Sequence, residues 1–202
     1  MTLREPVGKA YAHRRANGPI GDFFSTPKSL VWVAEQIIVE EFTRESEILE
    51  PCSGLSAISE ELTNLGYSIV ENDLHLMDAG VDYLTAEHLI TYRQLITNPP
   101  FSLWNRFVAR AKSHTDKLMV IGRMNYLGTH SRQATGIWTH LKAIYVFDRY
   151  VDYRTPYRTD GKFHVGALCT GWFLFDMAYN SLPTISVLDV QEFASLGAFR
   201  EP

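Results

Sequence analysis

Up to Gly122 the chain alternates short apolar runs with stretches of helical periodicity, and this alternation is the feature that most constrains the fold. Leu30, Val31, Val33, Ala34, Ile37 and Ile38 follow Pro27 at a spacing that predicts one amphipathic helix ending near Thr43. Ile48 to Glu50 reads as a short strand stopped by Pro51. Ala57 to Leu65 reads as a helix ended by Gly66, and Tyr67 to Val70 as a second strand. Val81 to Leu84 reads as a third strand and Gln94 to Thr97 as a fourth, halted by Pro99 and Pro100. A helix over Leu103 to Lys112 and a fifth strand over Leu118 to Gly122 complete the alternation. Strands that alternate with helices imply βαβ units and a parallel sheet. After Gly122 the pattern changes. Leu141 to Tyr150, His164 to Asp176 and Ile185 to Val190 read as strands with no helix between them. The expected fold is therefore α/β, a mostly parallel sheet that ends in an antiparallel C-terminal pair. Segments 123–140 and 151–163 lack periodicity and read as loops, and loops of that length are often functional.

Residues 1–21 read as a loose basic tail and 22–202 as a single domain. With 46% hydrophobic and 21% charged residues, the composition is that of a globular protein. No apolar run is long enough to predict a membrane span, and the tail lacks the apolar centre of a signal peptide. Cys52 and Cys169 stand far apart and suggest neither a disulfide framework nor a zinc site, so a cytoplasmic setting is expected. His75, His88 and His114 lack ligand spacing, and no metal is expected. Trp32, Trp104, Trp138 and Trp172 read as core residues, although Trp138 falls in a predicted loop.

The net charge of −4 hides an asymmetry. Through Phe101 there are 7 Lys and Arg against 15 Asp and Glu; from Ser102 onward there are 12 against 8. The basic half carries Arg106, Arg123, Arg132, Arg149, Arg154 and Arg158, which are candidates for contact with nucleic-acid phosphates.

In a doubly wound sheet, ligands bind outside the carboxyl ends of the strands. Glu50-Pro51-Cys52-Ser53-Gly54 leaves the first strand. There Gly54 allows a close backbone approach, and Glu50 can attract the cationic end of a ligand. The turn matches neither G-x-G-x-x-G nor a P-loop. Asp73, with Glu71 in reserve, leaves the second strand where an acid can bind both hydroxyls of a ribose. Asp82 occupies the matching place after the predicted third strand.

Asn98-Pro99-Pro100-Phe101 leaves the fourth strand and carries the strongest chemical signal. An aromatic exocyclic amine is a poor nucleophile because its lone pair is delocalised into the ring. The Asn98 side-chain carbonyl and the Pro99 backbone carbonyl can accept its two N–H bonds and localise that lone pair. Two prolines stiffen the loop and preorganise these acceptors. Phe101 offers a face on which a base can stack.

These residues resemble the N6-adenine DNA methyltransferases, particularly the small phage-encoded ones. Phe23-Phe24-Ser25-Thr26-Pro27 is similar to the N-terminal element that meets the methionine end of the cofactor. Glu50 to Gly54 resembles the main cofactor loop, Asp73 the ribose-binding acid, Asp82 the acid beside the cofactor's adenine, and Asn98 to Phe101 the catalytic loop. Arg123, Gly128 and Arg132 resemble a strand-exit loop of the phage enzymes, and Arg149 and Gly171 to Asp176 resemble their C-terminal strands. The motif order is that of the gamma group, and the likeness covers about residues 22–190. It implies a Rossmann-like class I methyltransferase fold, S-adenosylmethionine as cofactor, and DNA as partner. The implied site comprises Phe24, Thr26, Pro27, Glu50, Pro51, Cys52, Ser53, Gly54, Asp73, Asp82 and Asn98 for the cofactor, with Asn98, Pro99, Pro100 and Phe101 for catalysis. RNA bases and protein glutamine are alternative acceptors for the same tetrapeptide, and an inactive nucleic-acid clamp is the alternative from another class. Ser56 departs from the pattern, standing where the family carries glycine. No room is expected for a separate target-recognition domain.

Overall fold

The structure, a computed structural model, describes residues 26–75, 80–151, 153 and 168–190. Seven strands form one sheet: β1 (Ile48–Glu50), β2 (Ile69–Glu71), β3 (Gln94–Thr97), β4 (Lys117–Arg123), β5 (Leu141–Phe147), β6 (Thr170–Asp176) and β7 (Thr184–Leu188). Their order is β2-β1-β3-β4-β6-β5-β7. The first four run parallel, with Leu49 beside Val70 and Leu95, and Thr97 beside Val120. β6 lies antiparallel between β4 and β5, and β7 runs parallel to β5. This is the expected mostly parallel sheet with an antiparallel C-terminal pair.

Successive side chains of the central strands feed two cores. Ile96, Met119, Trp172 and Leu174 pack on one face with Leu30, Ile38, Ile58 and Leu62 of helices α1 (Ser29–Trp32), α2 (Glu35–Glu41) and α3 (Ala57–Asn64). Leu95, Leu118, Val120 and Phe173 pack on the other face with Trp104, Phe107 and Val108 of α4 (Trp104–Lys112). The result is a three-layer arrangement in which both sheet faces are covered. Gly171 sits where β6 passes closest to β5: a Cβ there would lie 2.5 Å from the Tyr145 carbonyl oxygen. Trp104 and Trp172 are fully buried as expected, and Trp138 packs against Trp104 and Phe173. No helix of the described residues is long and apolar enough to cross a membrane.

Three local expectations are corrected. The single N-terminal helix is two, because the Trp172 indole donates to the Leu30 carbonyl at 2.8 Å. The Ala34 N–H turns instead to Val31, and the helix tightens and breaks at Val33 and Ala34. Val81 to Leu84 is not a strand. The Asn72 side chain takes both backbone groups of Val81, at 2.9 and 3.1 Å, and Asp82 Oδ1 accepts the Leu84 N–H at 2.9 Å, which curls the segment into a turn. The 123–140 segment is not an open loop: it contains a 3-10 turn over Met124–Gly128 and a short helix α5 (His130–Ala134).

Candidate active site

The chain runs from β1 outward to β2, then crosses back to β3 on the other side of β1. The direction of winding therefore reverses between β1 and β3, and a crevice opens at their carboxyl ends. The turn after β1 and the Asn98 loop after β3 stand on its two sides.

The β1 turn is held to the end of β2. Asn72 N–H donates to the Glu50 carbonyl at 2.9 Å, and Ser53 N–H donates to the Asn72 carbonyl at 3.0 Å. Gly54 N–H donates to Asp73 Oδ2 at 3.1 Å, and His75 N–H to Asp73 Oδ1 at 2.8 Å. Two backbone donors thus fix the orientation of the Asp73 carboxylate, which is 7% exposed. Gly54 and Ser56 both occupy the left-handed region, at φ 55° and 61°. The serine departs from the glycine pattern at a position where the backbone favours glycine.

Glu50 is buried, and its carboxylate accepts a hydrogen bond from the Ser59 hydroxyl in the first turn of α3. Burial pushes this carboxyl up to about 8, opposed by the Ser59 bond and assisted by the charges of Glu71 and Asp73. Burial likewise pushes the Cys52 thiol well up, with Asp73 adding to the effect and a Thr97 contact opposing it. Asp82, half-buried, terminates its own turn beyond Asn72 and Val81. Glu71 is exposed, which favours Asp73 over it as the acid facing the crevice.

Across the crevice Asn98 is buried, and its Nδ2 donates to Thr26 Oγ1 at 3.0 Å. This bond brings Thr26 to the Asn98 loop, 72 residues away in sequence. Pro99 is buried and Pro100 half-buried; Phe101 opens a 3-10 turn into α4. The Tyr126 hydroxyl donates to the Phe101 carbonyl at 3.0 Å. The Tyr126 ring is covered in turn by the Arg132 guanidinium at 4.1 Å, and Arg132 Nε donates to Asn105 Oδ1 at 2.8 Å. The segment after β4 therefore braces the Asn98 loop against the start of α4.

Hydrogen bonds bring Thr26 to Asn98 and the Ser53-Gly54 turn to Asn72 and Asp73, while Phe101 packs into the core. Phe24, Arg154 and Arg158 lie outside the described residues. Among the candidate phosphate contacts, Arg106 is exposed on α4, Arg123 lies over Phe101, and Arg149 pairs with Asp148 at 3.0 Å and approaches Asp189 at 3.9 Å. Asn72, Ser59 and Tyr126 escaped the sequence reading. Ser59 carried a usable signal, since the first turn of a helix that follows a strand faces back toward the strand's end.

Neither a protein-family model nor a curated protein sequence matches the chain. Solved structures do resemble it. The type IIG restriction endonuclease BpuSI aligns with a TM-score of 0.64 at 11% identity, over 95% of this chain and 30% of the endonuclease. The methyltransferase subunit of a type I restriction-modification system from Streptococcus thermophilus aligns with a TM-score of 0.61 at 10% identity, over 100% of this chain and 59% of that one. The 23S rRNA methyltransferase ErmE aligns at 0.53 and 16% identity, over 79% of this chain and 72% of the enzyme. The chain thus has the Rossmann-like fold of methyltransferases, and it spans three-fifths or less of the two restriction-modification proteins.

Proposed function

We propose that this protein transfers the methyl group of S-adenosylmethionine to the N6 amino group of adenine in DNA. The observation that carries the reading is the position of Asn98-Pro99-Pro100-Phe101 at the end of β3, across the switch point from the acidic β1 turn, with the Asn98 side chain hydrogen-bonded to Thr26.

The donor set suits the cofactor. Glu50 and Asp73 are buried carboxyls that form no ion pair among the described residues, which suits a ligand bearing a cationic methionine end and a ribose diol. Gly54 keeps the turn low beside them, and Asp82 and Cys52 border the side where the adenine would lie. S-adenosylmethionine supplies an electrophilic methyl group to such a site. The protein's part is alignment and electrostatics. Asn98 Oδ1 and the Pro99 carbonyl accept the two N–H bonds of the target amine and draw its lone pair out of the ring. The N6 atom would gain the methyl group as the methyl's bond to the cofactor's sulfonium sulfur breaks and the neutral thioether leaves, and N6 would shed one of its two protons to solvent. Asn98 is too weakly basic to take that proton, so its role is orientation. The target adenine leaves the duplex to reach the loop. Arg106, exposed on the helix that follows, supports the backbone phosphates.

Asn98→Ala tests the reading. Its interaction strengthens in the transition state, so methyl transfer from labelled cofactor to DNA falls by ~100-fold or more, while cofactor affinity by calorimetry changes little. Asp73→Ala produces the opposite pattern, weakening cofactor binding by roughly 1–3 kcal/mol. Transfer to RNA is measured in parallel. Wild-type rates in Asn98→Ala would contradict the amine-polarising role.

A further inference from the structure

Phe101, the aromatic member of the catalytic loop, does not itself present a free face. It is 4% exposed, and Tyr153 stands edge-on to it at 5.8 Å and 84°. Arg123 places its guanidinium 4.8 Å from the ring centroid. Arg123 closes β4, three residues beyond Val120, which pairs with Thr97 at the end of β3. It therefore leaves the sheet at the same end as the Asn98 loop, half-buried where Phe101 is buried.

Arg123 Nε is buried without a hydrogen-bond partner. Native proteins rarely leave a buried donor unmade, and those that remain call for another explanation. Arg132, from the same segment, gives the contrast: it covers Tyr126 and donates to both Asn105 and Thr129. A guanidinium is planar and weakly hydrated, and it stacks on an aromatic ring with one face and on a nucleobase with the other.

We infer that Arg123 is the platform for the target base, its guanidinium held flat on Phe101 so that the extruded base stacks on the outer face. The inference rests on the base-methylating reading of the same site. It assigns the stacking surface to Arg123 and makes Phe101 the support beneath it. Two other roles predict different behaviour. A phosphate contact would need the charge and not the plane. A plug that fills the empty pocket would impede the base.

The test is steady-state methyl transfer to a single-stranded DNA oligonucleotide containing adenine, with Arg123→Lys (charged, not flat), Arg123→Gln (flat, neutral) and Arg123→Ala. For a platform, Lys and Ala raise the KM for the oligonucleotide by about ten-fold, as expected for a lost base stack, with kcat changed far less. Gln falls between wild type and Ala, and cofactor affinity is the same in all four proteins. Lys behaving as wild type with Gln as poor as Ala overturns the platform in favour of a phosphate contact. Ala matching or exceeding wild type overturns it in favour of a plug. If Ala fails to fold, Lys against Gln still decides. If wild type methylates neither DNA nor RNA, the base-methylating reading fails and this inference with it. A failure of Arg123 alone leaves that reading standing.

Discussion

Glu50 shows how a single buried residue can couple the site to pH. Its carboxyl is pushed up to about 8 in the folded chain, against 4.5 when unconstrained. Between those values the folded state holds a proton that the unfolded state has lost, so stability falls as pH rises through the window and levels off above it. The account predicts a decline of roughly 3–5 kcal/mol across the window, and a flattened profile in Glu50→Gln. Denaturant titrations from pH 5 to 9 measure both, and identical slopes in the two proteins would contradict it. A cationic ligand end beside Glu50 favours the ionised form. Cofactor binding near neutral pH should then release a proton, visible by calorimetry in buffers of different ionisation enthalpy. Ser56 is the second case. A non-glycine residue at φ 61° costs about 1 kcal/mol, and glycine returns part of that through its freer unfolded chain. Ser56→Gly should therefore raise stability by about 0.5 kcal/mol, and Ser56→Val should lower it by over ~1 kcal/mol. Thermal unfolding of the two variants moving in the same direction would contradict this.

At the scale of elements, local signals made the parallel strands legible. The apolar runs at Ile48, Gln94 and Leu118 end at prolines or glycine, and β1, β3 and β4 lie where those runs predict them. Long-range partners hid the rest. The break between α1 and α2 depends on Trp172, 142 residues away from Leu30. The lost strand at Val81 depends on side chains of Asn72 and Asp82 that outcompete a sheet ladder. The 3-10 turn and short α5 after β4 are too brief to show a period. Within the candidate site, the Asn98 loop stands out in sequence because amine chemistry calls for its residue types, and it lies at the end of β3 as expected. The Tyr126 brace was not, because one hydroxyl reaching one carbonyl leaves no pattern. Tyr126→Phe keeps the ring under Arg132 and removes the hydroxyl that donates to the Phe101 carbonyl. It should cost about 1 kcal/mol of stability and slow methyl transfer several-fold, with cofactor affinity unchanged. Equilibrium unfolding and kcat together test it. A slowed reaction with weakened cofactor binding would show that the brace serves the whole pocket rather than the loop.

In the whole molecule, one end of the sheet carries the chemistry and the other carries a staple. At the far end Glu41 meets Lys117 and Lys142 at 3.0 and 2.7 Å, and Asp176 meets Lys117 at 2.6 Å, tying α2 to β4, β5 and β6. Burial works against ionisation there, but hydrogen bonds from the lysines hold both carboxyls below their ordinary range. At the carboxyl end stand the β1 and β2 turns and the Asn98 loop, with Tyr126 from the segment after β4 hydrogen-bonded to that loop and Arg123 over Phe101. Methyl transfer to adenine N6 is tested by mass spectrometry of nucleosides from DNA of cells expressing the protein. The account predicts N6-methyladenine above background with the wild-type chain and background levels with Asn98→Ala at equal expression. Equal amounts from the two proteins, or none from wild-type protein that binds the cofactor and DNA, would contradict it.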